Sequence, residues 1–112
     1  MENFEKKWQA VAEFFKQKFT SGEEPQLDTI LFLIGIQEYG IIQTGFSKDD
    51  KLNLMHIATC KLLEPYGYYE FSHRDDAGWP HYKRIKPVEK SINQEQLIKE
   101  VIINYFDEND LL

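Results

Sequence analysis

His56 and Cys60 lie four residues apart in Met55-His56-Ile57-Ala58-Thr59-Cys60, and on a helix that spacing sets both side chains on one face. An imidazole nitrogen and a sulfur so placed can ligate one metal ion, and the imidazole can equally serve as base to a thiol nucleophile. Glu38, His73 and His81 are the candidates to complete such a ligand set, with Glu38 the first choice. H-x-x-x-C alone lacks the clustering of zinc motifs, and neither an orienting group nor oxyanion donors are legible beside Cys60. A boundary histidine and a small buried cysteine at helical spacing are the competing reading. The sequence carries no phosphate-cradling glycine loop, nucleophile elbow, EF-hand loop or H-E-x-x-H pattern. No catalytic residue or cofactor is therefore assigned.

A second constellation runs from Tyr66 to Lys86. Tyr66, Tyr68, Tyr69, Phe71, Trp79 and Tyr82 alternate there with His73, Arg74, His81, Lys83, Arg84 and Lys86. Aromatic rings beside cations can anchor a partner protein or stack on bases. The candidate binding residues are Tyr69, Phe71, Arg74, Trp79, His81, Tyr82 and Arg84. The plainer alternative packs alternate aromatics inward and leaves the cations as a solvated rim that balances Asp75 and Asp76.

These residues need elements to hold them. Phe4, Trp8, Val11, Phe15 and Phe19 form one stripe of an amphipathic helix from Glu2 to Phe19, and Thr20-Ser21-Gly22 stops it. A second helix begins at Pro25 and ends before Gly40. Its all-apolar run from Ile30 to Ile34 predicts a central position, and Gly35 predicts close approach by another element. A strand is the competing reading of that run. After a connector from Ile41 to Phe46, Ser47 and Asp50 form a capping box that opens a third helix, which runs to Leu63 before Pro65. Its apolar arc comprises Leu52, Leu54, Met55, Ala58, Leu62 and Leu63.

The aromatic-rich segment then reads as strand, turn, strand. A four-residue loop from Asp75 to Gly78 sets Glu70 opposite Lys83, Phe71 opposite Tyr82 and Arg74 opposite Trp79, with Pro80 on an open edge. Asn93 and Gln96 cap a fourth helix, which buries Leu97, Ile98, Val101, Ile102, Tyr105 and Phe106 and frays in its acidic tail from Asp107 to Asp110.

The expected fold is mainly α: a single domain over residues 1–112, with four helices around the second and one β-hairpin between helices 3 and 4. Element order also matches a winged-helix-like α+β arrangement. The chain has 112 residues, 42% of them hydrophobic, which suits one ordinary core. Its formal net charge of -6 argues against non-specific binding to nucleic acid or anionic membranes. On the third helix, Asp49, Asp50, Asn53, Lys61 and Glu64 are the wrong surface for a DNA reader. A single cysteine and a charged start from Met1 to Lys6, which does not read as a secretory signal, predict a reducing, cytoplasmic location.

The runs Leu62-Leu63-Glu64-Pro65-Tyr66-Gly67-Tyr68-Tyr69-Glu70 and Gly78-Trp79-Pro80-His81-Tyr82 resemble those of a group of small bacterial proteins with no assigned function. With the helix from Ser47 the resemblance covers about half the chain. It implies a bacterial cytoplasm and no particular activity. The leading expectation is a non-catalytic domain that self-associates or binds another protein. The alternatives are a small metal-dependent or thiol enzyme using His56 and Cys60, and a winged-helix nucleic-acid binder.

Overall fold

The structure is a computed structural model that describes residues 2–40 and 45–109. It contains four helices, α1 Glu2–Lys18, α2 Leu27–Tyr39, α3 Lys48–Leu63 and α4 Gln94–Glu108. Between α3 and α4 a short 3₁₀ turn, Glu64–Tyr66, leads to an antiparallel hairpin of β1 Tyr69–Arg74 and β2 Pro80–Arg84. The fold is mainly α. No helix among the described residues is long and apolar enough to cross a membrane. Contacts divide the chain into two compact units, Met1–Gln26 with Lys90–Leu112, and Leu27–Glu89.

The first unit contains α1 and α4. Trp8, Val11, Ala12 and Phe15 of α1 are buried, as are Leu97, Val101, Ile102, Ile103, Tyr105 and Phe106 of α4. The Phe106 ring meets Phe14 edge to face at 5.3 Å and lies 5.6 Å from Phe15. Lys99 places its ammonium 5.2 Å from the centre of the Trp8 ring. Phe19 departs from the predicted stripe: α1 ends at Lys18, so Phe19 falls beyond the helical repeat and is 53% exposed. The stop is where the sequence placed it, since Gly22, at φ +90°, donates its N–H to the Lys16 carbonyl.

In α4, Asn93 accepts from the Gln96 N–H at 3.0 Å. The expected fraying does not occur at Asp107 and Glu108, which are helical, and Lys7 pairs with Asp107 at 3.5 Å. Asp110 lies outside the described residues, as do residues 41–44 of the expected connector.

The second unit packs α2, α3 and the hairpin. Pro25 precedes α2 rather than occupying its first turn, which starts at Leu27. Burial along α2 is one-sided: Ile30, Ile34, Gly35 and Tyr39 are buried, whereas Leu31, Phe32 and Leu33 are half-buried. Gly35 makes the close approach expected of it. A Cβ there would stand 2.1 Å from the Leu54 carbonyl oxygen, so only hydrogen fits between the two helices at this point.

The Ser47 capping box forms as read. Ser47 Oγ accepts from the Asp50 N–H at 3.1 Å, and Asp50 Oδ2 accepts from the Ser47 N–H at 3.4 Å. The buried side of α3 is Leu54, Ile57, Ala58, Cys60, Leu62 and Leu63. Leu52, expected in the apolar arc, is instead 55% exposed, and Ile57 takes a core position.

The hairpin pairs Tyr69 with Arg84, Glu70 with Lys83 and Phe71 with Tyr82, then slips by one residue so that His73 faces His81 and Arg74 faces Pro80. Ser72 is the extra residue of this bulge. The expected pairing of Arg74 with Trp79 is thereby corrected, and the loop between the strands lengthens to Asp75–Trp79. Pro80 opens β2, a position where its missing N–H costs the ladder little.

Candidate functional site

The hairpin and α3 bring most of the candidate residues into one region of the second unit. The loop is organised by Asp75. Its Oδ1 accepts from the Ala77 and Trp79 N–H groups, each at 3.0 Å, and its Oδ2 lies 2.9 Å from His81 Nε2. The His81 hydrogen bond and these backbone donors hold the Asp75 carboxyl below the usual carboxylate range. Asp75 remains ionised well into mild acid. Its central role escaped the sequence reading, although an Asp opening an Asp-Asp-Ala-Gly loop is the signature of a side chain that folds back on its own backbone.

Arg74 is committed to the fold. Its guanidinium donates to the carbonyls of Glu38 at 2.8 Å and Tyr39 at 3.0 Å, and to that of Gly78 at 2.8 Å. These bonds satisfy the C-terminal carbonyls that a helix leaves without internal partners. Trp79 stacks on Tyr39 with ring centres 4.3 Å apart and planes at 22°. Two of the seven candidate binding residues therefore tie the hairpin to the end of α2.

Four others share one face of the hairpin by register: Tyr69 with Arg84, and Phe71 with Tyr82. Tyr69 meets the His56 ring edge to face at 6.3 Å. Tyr82 is half-buried, and burial, reinforced by the charges of Glu38 and Glu64, pushes its phenol up to about 12. Phe71 lies at the margin of this face, 46% exposed, with its ring edge-on to Tyr82 at 5.7 Å. His81, the seventh, turns toward an open groove of about 370 Å³ between hairpin and α3. Asp50, Asn53 and His56 line one wall of that groove, and Asp75, Trp79 and His81 line the other.

His56 and Cys60 are within reach of each other, with Nε2 3.5 Å from Sγ. They differ sharply in setting: His56 is exposed, while Cys60 has no accessible surface. Burial pushes the Cys60 thiol up to about 11, so it is protonated at neutral pH and a weak nucleophile. Glu38 meets the hairpin through its backbone carbonyl, held by Arg74. Among the described residues, no three His, Cys, Asp or Glu side chains are grouped to hold a metal ion, so His56, Cys60 and Glu38 are not brought together as a ligand set.

The raised thiol has two measurable consequences. Iodoacetamide should label the folded protein negligibly at pH 8 and fully once it is denatured, as read by mass spectrometry. Labelling of the native chain faster than a free thiol would instead reveal an activated thiolate. An unfolded thiol titrates near its ordinary value of 9.0, below the folded one. The stability it contributes is present below about pH 9 and is lost as pH rises toward 11, and Tyr82 adds to this alkaline loss.

Comparison with known proteins adds no relative: family models, curated proteins and solved structures each give no match to the chain.

Proposed function

We propose that this chain is a non-catalytic interaction domain of the cytoplasm, and that it self-associates through its hairpin. The carrying observation is Phe71, a phenyl ring 46% exposed on a strand, backed by Tyr82 and sharing its face with Arg84. Exposed aromatics with a half-buried aromatic behind them and arginine beside them have the composition of interface anchors.

The occupant is a second copy of the chain. β2 carries Lys83 and Arg84 and no acid, on a protein of net charge -6, so the hairpin of one copy complements the acidic helical surfaces of another. Docking uses the exposed margin of this face at Phe71 and Arg84, and not strand addition at β1. Glu64 Oε2 already accepts the outward Phe71 N–H at 2.9 Å, and the bulge at Ser72 twists the same edge.

The test is the concentration dependence of mass by sedimentation equilibrium, with Phe71→Ala beside the wild type. Truncating an exposed ring leaves the fold intact, so equal melting temperatures are expected, with a dimer in the wild type and at least a tenfold weaker association in the variant. Raised salt should weaken the wild-type dimer. A wild type that is monomeric at every concentration overturns the self-association reading. A dimer indifferent to Phe71→Ala removes the hairpin from it.

A further inference from the structure

We propose that His73 and His81 form a two-imidazole site for a divalent transition-metal ion on the strand pair, independent of the docking reading. The bulge at Ser72 builds it. In the unslipped register of Phe71 and Tyr82, His73 would face Pro80, but the extra residue makes His73 and His81 direct cross-strand partners. Their rings stack with centres 4.9 Å apart and planes at 6°. Re-aiming side chains in this way is what bulges do beside functional sites.

Each imidazole has one nitrogen held by a neighbour and the other left for a ligand. Ser72 Oγ lies 2.8 Å from His73 Nδ1, and Asp75 Oδ2 lies 2.9 Å from His81 Nε2. The nitrogens directed to the ion are therefore His73 Nε2 and His81 Nδ1. Carboxylate–imidazole–metal chains of the Asp75–His81 kind fix the ring and raise its basicity toward the metal. Asp75 is suited to that part because the Ala77 and Trp79 N–H groups hold its Oδ1, each at 3.0 Å, while its Oδ2 lies 2.9 Å from His81 Nε2. Both histidines are exposed, so a hydrated ion reaches them directly; with His81 held by Asp75, the His73 ring turns about its side-chain bonds to bring Nε2 to the same ion.

Two nitrogens and the remaining positions filled by water suit Ni²⁺, Cu²⁺ or Zn²⁺, whereas Mg²⁺ and Ca²⁺ take oxygen ligands. Cys60 is outside the set because its sulfur is buried, and His56 turns its Nε2 to that sulfur.

The experiment titrates the protein, without a histidine tag, with Ni²⁺ alone at pH 7.5, reading imidazole NMR signals and binding heat. The signals of His73 and His81 should respond first and together, and Mg²⁺ should leave them unmoved. His73→Asn and His81→Asn should each weaken binding at least tenfold, with melting temperatures close to wild type because both side chains are exposed. Asp75→Asn should weaken it about tenfold, the usual cost of losing a ligand's orienting partner. The proposal is overturned if the binding heat is unchanged in both Asn variants, if His56 responds first, or if Mg²⁺ reproduces the shifts.

Discussion

Gly35→Ala is expected to cost about 3 kcal/mol of stability, the upper end for over-packing a well-filled contact. Two effects oppose each other. Alanine improves helix propensity over glycine by about 1 kcal/mol. Against that gain, the added methyl would sit 2.1 Å from the Leu54 carbonyl oxygen and 2.6 Å from its carbon. Those neighbours are backbone atoms of α3 and have no rotamer by which to yield, so α2 and α3 must separate along a contact that buries Ile30, Ile34 and Leu54. Urea unfolding measures the outcome as a fall in midpoint. A rise of about 1 kcal/mol, the propensity gain alone, would mean that the helices do not touch at Gly35.

Phe106→Ala should be at least as damaging, at about 3–5 kcal/mol. Its ring is 2% exposed and is met by Phe14 and Phe15. Deleting it removes the buried area, opens a cavity and ends the ring contacts with Phe14 and Phe15, each worth about 0.5–1.5 kcal/mol beyond their area. Since domains of this size are stable by only about 5–15 kcal/mol, such a loss leaves little margin. Phe19→Ala is the milder counterpart: that ring lies outside α1 and is 53% exposed, so what is lost is its contacts with Phe14 and Phe15, and its removal should cost about 1 kcal/mol. Thermal melts of the two variants side by side decide whether the aromatic cluster is core at Phe106 and surface at Phe19.

Local signals were legible where the physics is local. The Ser47 box opens α3 because a cap acts on its own few residues. Pro65 does not act as expected: Glu64 before it is still helical at φ -56° and ψ -48°, Pro65 sits inside the 3₁₀ turn, and the helical path ends only at Gly67, at φ +84°. Glycine in an otherwise apolar helix announced the approach to Leu54. The hairpin register was readable up to Phe71 and no further, because a bulge at a serine leaves no compositional trace. Leu52 and Phe19 were misplaced for a related reason: a helical wheel tells which residues share a side but not where a helix ends or which sides find partners.

The candidate site divides in the same way. The four-residue spacing of His56 and Cys60 does bring nitrogen and sulfur together, yet spacing is silent on the burial that leaves the thiol protonated. Arg74 and Trp79 looked like surface recognition residues because their partners, Glu38, Tyr39 and the Tyr39 ring, lie more than thirty positions away. Long-range capping has no sequence periodicity. Phe71, by contrast, is a candidate whose ring stays 46% exposed.

The grip of Arg74 on Glu38 and Tyr39 spans 36 and 35 positions of chain. α2 is thus a helix whose final turn is finished by a residue synthesised long after it. A nascent chain that has emerged only as far as His73 has the carbonyls of Glu38 and Tyr39 facing water, and the whole of β2 still to come. The end of α2 therefore cannot gain this partner before β1 is complete through Arg74, the residue that precedes the loop around Asp75.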